Sequence, residues 1–164
     1  MKLKKGKKGW MTIKIDLEKT YDRLSWDFIK DTFQEVGLPS NFIDVFYCVS
    51  TSTFKMLWNG EALHQFSPSR GIRQEDPLSL HLFVLCMEIL SHIILVMVEN
   101  NFWKPIKVGK NGPALLHLAL DDDLMLFADA SLDQVDVIST CLDLFCESSG
   151  EKVSKEKTRN LLFS

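Results

Sequence analysis

From Met11 the chain alternates strictly: Met11, Ile13, Ile15 and Leu17 face one way, while Thr12, Lys14 and Asp16 face the other. This pattern predicts a half-buried strand that presents Asp16 on its open face. Trp26, Ile29, Phe33 and Val36 then recur at helical spacing ahead of Gly37 and Pro39, so a helix is expected over 25–36. Ser40 is placed to cap a second short helix running through Phe42, Phe46 and Val49. Phe54, Met56 and Trp58 alternate into Asn59-Gly60, the strongest short-range hairpin signal.

Ser67 to Asp76 is rich in proline, glycine and charge and reads as a loop, after which Pro77 suits the first position of a helix. The apolar run from Leu78 to Val98 is long enough to span a bilayer, but His81, Glu88 and His92 interrupt it, which favours a buried helix and no membrane. Asn111-Gly112 marks a turn. Two apolar runs, Leu115 to Leu120 and Leu124 to Ala128, are separated only by Asp121-Asp122-Asp123, predicting a hairpin with an acidic tip. Ser131 and Gln134 form a capping box for a helix reaching Ser148 and stopped by Gly150, and Thr158 to Phe163 adds a last strand. Strands interleaved with helices, without βαβ regularity, predict an α+β fold: an antiparallel sheet backed by helices.

The chain has 164 residues, 46% of them hydrophobic, enough for one domain to close a core. Its net charge of −3 is uneven. Lys2, Lys4, Lys5, Lys7 and Lys8 give residues 1–10 the character of a basic tail and leave roughly −8 on the body. That balance argues against a free-standing nucleic-acid binder. No apolar stretch backs the basic opening, so it is read as a solvated tail rather than a signal peptide. Cys48, Cys86, Cys141 and Cys146 form no CxxC pair, which points to reduced thiols in an intracellular protein.

Two acidic sites lie more than a hundred positions apart: Asp16 at the open end of a strand, and Asp122-Asp123 at a hairpin tip. If those strands are neighbours, three carboxylates converge at one sheet edge. Hard oxygen ligands in that arrangement suit two magnesium ions that clamp the attacking and leaving oxygens of phosphoryl transfer. From spacing alone, a run of aspartates at a hairpin tip more often describes a solvated turn. A phosphate-receiving regulatory domain would place its aspartate pair first and its lone acceptor later, the reverse of the order here.

Three segments resemble, in order and separation, successive palm motifs of reverse transcriptases from plant LINE-type (non-LTR) retrotransposons. They are KIDLEKTYDRLSW at Lys14 to Trp26, RGIRQEDPLSLHLFVLCMEIL at Arg70 to Leu90, and HLALDDDLMLFADAS at His117 to Ser131. The resemblance implies a polymerase palm with a ferredoxin-like core over residues 11–164 and RNA-directed DNA polymerase activity with Mg²⁺. It further implies an RNA template, a DNA primer and deoxynucleoside triphosphates as partners, with a nuclear location if functional. On this reading Asp16, Asp122 and Asp123 are catalytic metal ligands. Tyr21 is the aromatic beneath the sugar. Gln74 lies near the incoming nucleotide, with Arg73 and Arg70 beside its phosphates. Lys157 and Lys155 match the motif whose lysine donates a proton to pyrophosphate.

Three departures from the family pattern stand out. Glu75 replaces the glycine after the glutamine, Leu80 stands in place of proline, and Leu120-Asp121 replaces an aromatic-alanine step. Two like charges about 5 Å apart at an effective dielectric near 20 repel by roughly 3 kcal/mol, so Glu75 is expected to oppose triphosphate binding. Asp121 adds a fourth carboxylate beside the pair. The resemblance covers the palm, so residues 1–164 are expected to lack the family's fingers and thumb. The chain by itself is therefore expected to grip primer-template poorly, to be inactive alone, and to self-associate through uncovered edges and apolar surface.

Overall fold

The computed structural model describes residues 9–51, 53–73, 77–107, 109, 112–120, 123–154 and 156–163. Its centre is a four-stranded antiparallel sheet. β1 (Trp10–Asp16) is flanked by β7 (Asp123–Asp129) and β8 (Arg159–Phe163), and β6 (His117–Leu120) pairs with the far side of β7. The register sets Met11, Ile13 and Ile15 opposite Ala128, Leu126 and Leu124. All six are buried, so the expected apolar stripe forms one continuous face. Leu17 lies just past the strand and makes an isolated bridge to Val153.

Helices α2 (Trp26–Glu35), α4 (Pro77–Glu99) and α5 (Leu132–Ser149) join that face in one core, with Ile29, Leu90, Ile94 and Phe145 each 1% exposed or less. The short α1 (Thr20–Arg23) links the end of β1 to α2. α3 (Ser40–Ser50) follows and delivers Phe46, whose ring stands edge-on to Phe33 at 5.7 Å. Ser40 is the first helical residue rather than a cap outside the helix.

α4 corrects an expectation. Leu82, Phe83, Cys86, Met87, Leu90 and Ile94 are buried at helical spacing, while Leu85 and Ile89 sit at the rim and Leu80, Val84, Leu95 and Val96 are exposed. A helix that is apolar all round does not announce its buried face. Here only one side meets α5, α2 and the shared core, so the helix is half-buried. Among the described residues it alone is long and apolar enough, by length and composition, to cross a membrane.

The Asn59-Gly60 signal forms its hairpin: β2 (Leu57–Trp58) pairs with β3 (Glu61–Ala62), and both turn residues take positive φ, 50° and 86°. The alternation leading into it marks no buried face, because Phe54, Met56, Leu57, Trp58, Leu63 and Phe66 are all exposed. Phe54 and Phe66 stack on each other at 6.0 Å across the base of the arm. A smaller hairpin joins β4 (Ile106–Lys107) and β5 (Ala114–Leu115); Asn111 of its expected turn lies outside the described residues. The apolar run 115–120 is thus divided between β5 and β6.

At the start of α5, Ser131 Oγ accepts from the Gln134 N–H at 3.3 Å. The Gln134 side chain does not return to Ser131. It is buried, donating to Phe102 O at 2.8 Å and accepting from Lys104 N at 2.7 Å, and so fixes the loop after α4. Gly150 ends the helix at φ 80°, where a Cβ would lie 2.9 Å from Arg23 O. Cys86, Cys141 and Cys146 are free thiols, and burial pushes Cys86 up to about 12 and Cys141 to about 11, so both are inert at neutral pH. The side chain of Cys48 is outside the described residues.

Candidate active site

The pairing of β1 with β7 sets Asp16 directly opposite Asp123. Side chains of directly opposed residues leave the same face of a sheet with Cβ atoms about 5 Å apart. The two carboxylates therefore stand together on the face away from the helices, where the Asp16 side chain is 23% exposed and that of Asp123 41%. Asp123 heads β7 rather than sitting at the hairpin tip. Leu120 of β6 pairs with Asp123. Asp122 and Asp121 lie outside the described residues.

The last part of the chain pins this edge. Ser154 N–H donates to Asp16 O at 2.8 Å, Glu18 N–H donates to Lys152 O at 2.8 Å, and Leu17 bridges to Val153. These bonds bring the turn at 156–157 alongside the acidic pair, and Lys157 Nζ lies 3.7 Å from Asp16 Oδ1. Lys14, two residues before Asp16 on the same strand face, sets its Nζ 2.5 Å from Asp123 Oδ2. Two bare carboxylates at this spacing would repel by roughly 3 kcal/mol at an effective dielectric near 20, and the two ammonium groups offset that repulsion.

The loop before α4 is tied to the segment that follows β1. Gly71 N–H donates to Leu24 O at 2.9 Å, Ile72 N–H donates to Tyr21 O at 2.7 Å, and Trp26 Nε1 donates to Gly71 O at 2.7 Å. Gly71 is needed here: its φ is 89°, and an added Cβ would fall 3.1 Å from Asp22 O. These bonds hold Arg73, exposed and one residue on, beside the segment that carries Tyr21. The Tyr21 ring is half-buried against Phe83 of α4, with centroids 5.5 Å apart. Arg70 bridges to Ser25 along the same run. Gln74, Glu75 and Lys155 lie outside the described residues.

Of the residues singled out from sequence, Asp16, Asp123 and Lys157 thus meet at one edge, and Tyr21 and Arg73 share the adjoining loop junction. Lys14 was legible only as an outward-facing strand position. Its period-two spacing from Asp16 was the signal for its place. Glu151, buried just past the end of α5 with neither carboxylate oxygen hydrogen-bonded among the described residues, had no signal at all.

The donor set suits a hard divalent cation, since it consists of part-exposed carboxylate oxygens side by side. Among the described residues no three metal-ligating side chains cluster, so the pair would need a third ligand from the 121–122 step or from a bound nucleotide.

The chain is 32% identical over 148 residues to the retrovirus-related Pol polyprotein from the type-2 retrotransposable element R2DM of Drosophila melanogaster, covering 87% of this chain and 13% of that protein. It is 43% identical over 65 residues to an uncharacterized mitochondrial protein of Arabidopsis thaliana, covering 40% of this chain and 53% of that one. It therefore spans well under two thirds of either relative. The fold is shared with telomerase from Candida tropicalis in complex with a fragment of telomeric RNA, at TM-score 0.68 and 17% identity over 94% of this chain and 26% of that one. The apo telomerase truncated from its C-terminal domain gives TM-score 0.62 and 19% identity over 96% and 31% of the two chains. The sequence profile of the family described as reverse transcriptase (RNA-dependent DNA polymerase) matches residues 1–162. The chain belongs to the reverse transcriptase family.

Proposed function

We propose that this chain is the palm of an RNA-directed DNA polymerase of the non-LTR retrotransposon type, in which Asp16, Asp122 and Asp123 hold Mg²⁺ for nucleotidyl transfer. The observation that carries the reading is the opposition of Asp16 and Asp123 across β1 and β7 in a chain of this family. Bound Mg²⁺ would supply Lewis-acid stabilisation of the charge on the attacking and leaving oxygens.

The chain's own residues divide the remaining work. Asp16 and Asp123 supply oxygen ligands from rigid neighbouring strands. Tyr21, backed by Phe83, forms a wall where the sugar of an incoming deoxynucleoside triphosphate would rest. Arg73, exposed beside the segment that carries Tyr21, would meet the triphosphate, and the motif gives Gln74 a role with the same nucleotide. Lys157, whose side chain is 72% exposed, is free to swing from Asp16 towards a departing pyrophosphate and donate a proton. RNA template and DNA primer are the partners this chemistry requires.

A second reading, a folded palm that interacts but does not catalyse, is favoured by the sequence departures Glu75 and Asp121, each an added negative charge next in sequence to a residue assigned to nucleotide or metal. One experiment separates the two: single-nucleotide addition to an annealed RNA template and DNA primer by the purified chain with Mg²⁺. Incorporation that disappears in Asp16→Asn and Asp123→Asn supports the polymerase. A folded chain that incorporates nothing supports the non-catalytic palm.

A further inference from the structure

Lys14 lies opposite Met125 on β7 and Arg159 on β8, yet its ammonium leans one step along the sheet to reach Asp123. It thereby occupies an oxygen that the acidic pair would otherwise offer to a cation. The two ammonium groups at this edge differ in kind. Lys157 stands on a turn with its side chain 72% exposed and 3.7 Å from its partner, a loose surface contact. Lys14 rises from the central strand, whose backbone is paired on both sides, and its side chain is 42% exposed. A central strand fixes the Cα of Lys14 relative to both aspartates, so the ammonium is presented to the edge by the fold itself.

We propose that Lys14 is a built-in counter-ion of the acidic edge, holding the Asp123 carboxylate beside Asp16 in the metal-free chain and ceding that oxygen when a divalent cation binds. This rests on the metal-site reading above and goes beyond it: divalent binding becomes an exchange of one ammonium for one dication. Lys14 acts through Asp123 and is a positioning residue. Two consequences follow from charge alone. The ammonium keeps two opposed carboxylates from splaying apart, so the edge is preorganised before metal arrives. It also weakens net metal affinity, because an ion pair must open and a positive charge remains nearby after exchange.

The test is Mn²⁺ binding to the full chain, read by the paramagnetic signal of free Mn²⁺, for the original sequence, Lys14→Met, Lys14→Gln, Lys14→Arg and Asp16→Asn. Circular dichroism of each variant checks folding, and Lys14→Gln keeps a polar stem should Lys14→Met fold poorly. The expected result is a threefold to tenfold tighter Mn²⁺ affinity in Lys14→Met and Lys14→Gln, a difference that shrinks as salt rises. Lys14→Arg should retain the original affinity. Unchanged or weaker binding in both neutral variants, with Asp16→Asn abolishing binding, would overturn the counter-ion proposal while leaving the metal site standing. Equal binding by the original chain and Asp16→Asn would overturn the metal-site reading itself.

Discussion

The buried Glu151 carboxyl makes the stability of the fold depend on pH. Glu151 is 3% exposed, neither carboxylate oxygen has a hydrogen-bond partner among the described residues, and burial raises its pKa from 4.5 to about 8. Arg23 opposes that rise only in part. Its Nε–H is directed to Gly150 O at 3.3 Å, while Cys86 of α4 and Cys146 of α5 feel the glutamate's charge. The folded chain therefore holds this proton more tightly than the unfolded one. The associated stability is complete below the unfolded pKa and is lost progressively as pH rises from about 4.5 towards about 8. At about 1.4 kcal/mol per pH unit, roughly 3 kcal/mol is gone by pH 7. Glu151→Gln should abolish this slope, and Glu151→Leu should in addition raise stability, because an apolar side chain needs no partner there. The assay is urea unfolding between pH 5 and 8. The His117 imidazole, whose pKa burial lowers, contributes the opposite slope, but it is common to all three proteins and cancels in the difference. Identical pH dependence in the original chain and Glu151→Gln would refute the reasoning. The effect reaches the site, since the segment from 151 carries the Ser154 bond to Asp16 and then Lys157.

Glu75→Gly should strengthen Mg²⁺-dependent nucleotide binding by up to on the order of a hundredfold, and Asp121→Ala by less. Calorimetry with and without Mg²⁺ reads both, and unchanged affinity in both variants and the double variant would show that neither side chain obstructs the site. The exposed apolar arm formed by β2 and β3 should drive self-association at micromolar concentration. Sedimentation should show a larger share of monomer for the double substitution Leu57→Ser, Trp58→Ser, and a stable monomer of the original chain would count against that role.

The fold was legible where one periodicity and one punctuation mark agreed. Strict alternation from Met11 to Leu17 located β1 and its buried face, and Gly150 located the end of α5. Asn59-Gly60 located a turn, yet the alternation before it misled, because an arm with no body beneath it leaves both faces wet whatever its pattern. α4 failed in the opposite sense, since an all-round apolar helix carries no record of which side meets the core. At the site, alternation put Asp16 at the open end of β1, while only the resemblance to the palm motifs set Asp123 apart from a solvated turn. Their exact opposition was a matter of register, which no local pattern encodes. Lys14 needed that register before its partner could be named, and Glu151 needed the whole tertiary packing, because a lone glutamate after a helix stop looks like any solvated residue.

The account stands on Asp16 and Asp123 forming one divalent-cation site. Crystals of the chain grown with Mn²⁺ and a deoxynucleoside triphosphate test it most directly, through anomalous scattering at the manganese edge. Anomalous density is expected in contact with both carboxylates and absent in crystals of Asp16→Asn. Density confined to other parts of the surface, or a peak at this edge that persists without Asp16, would contradict it.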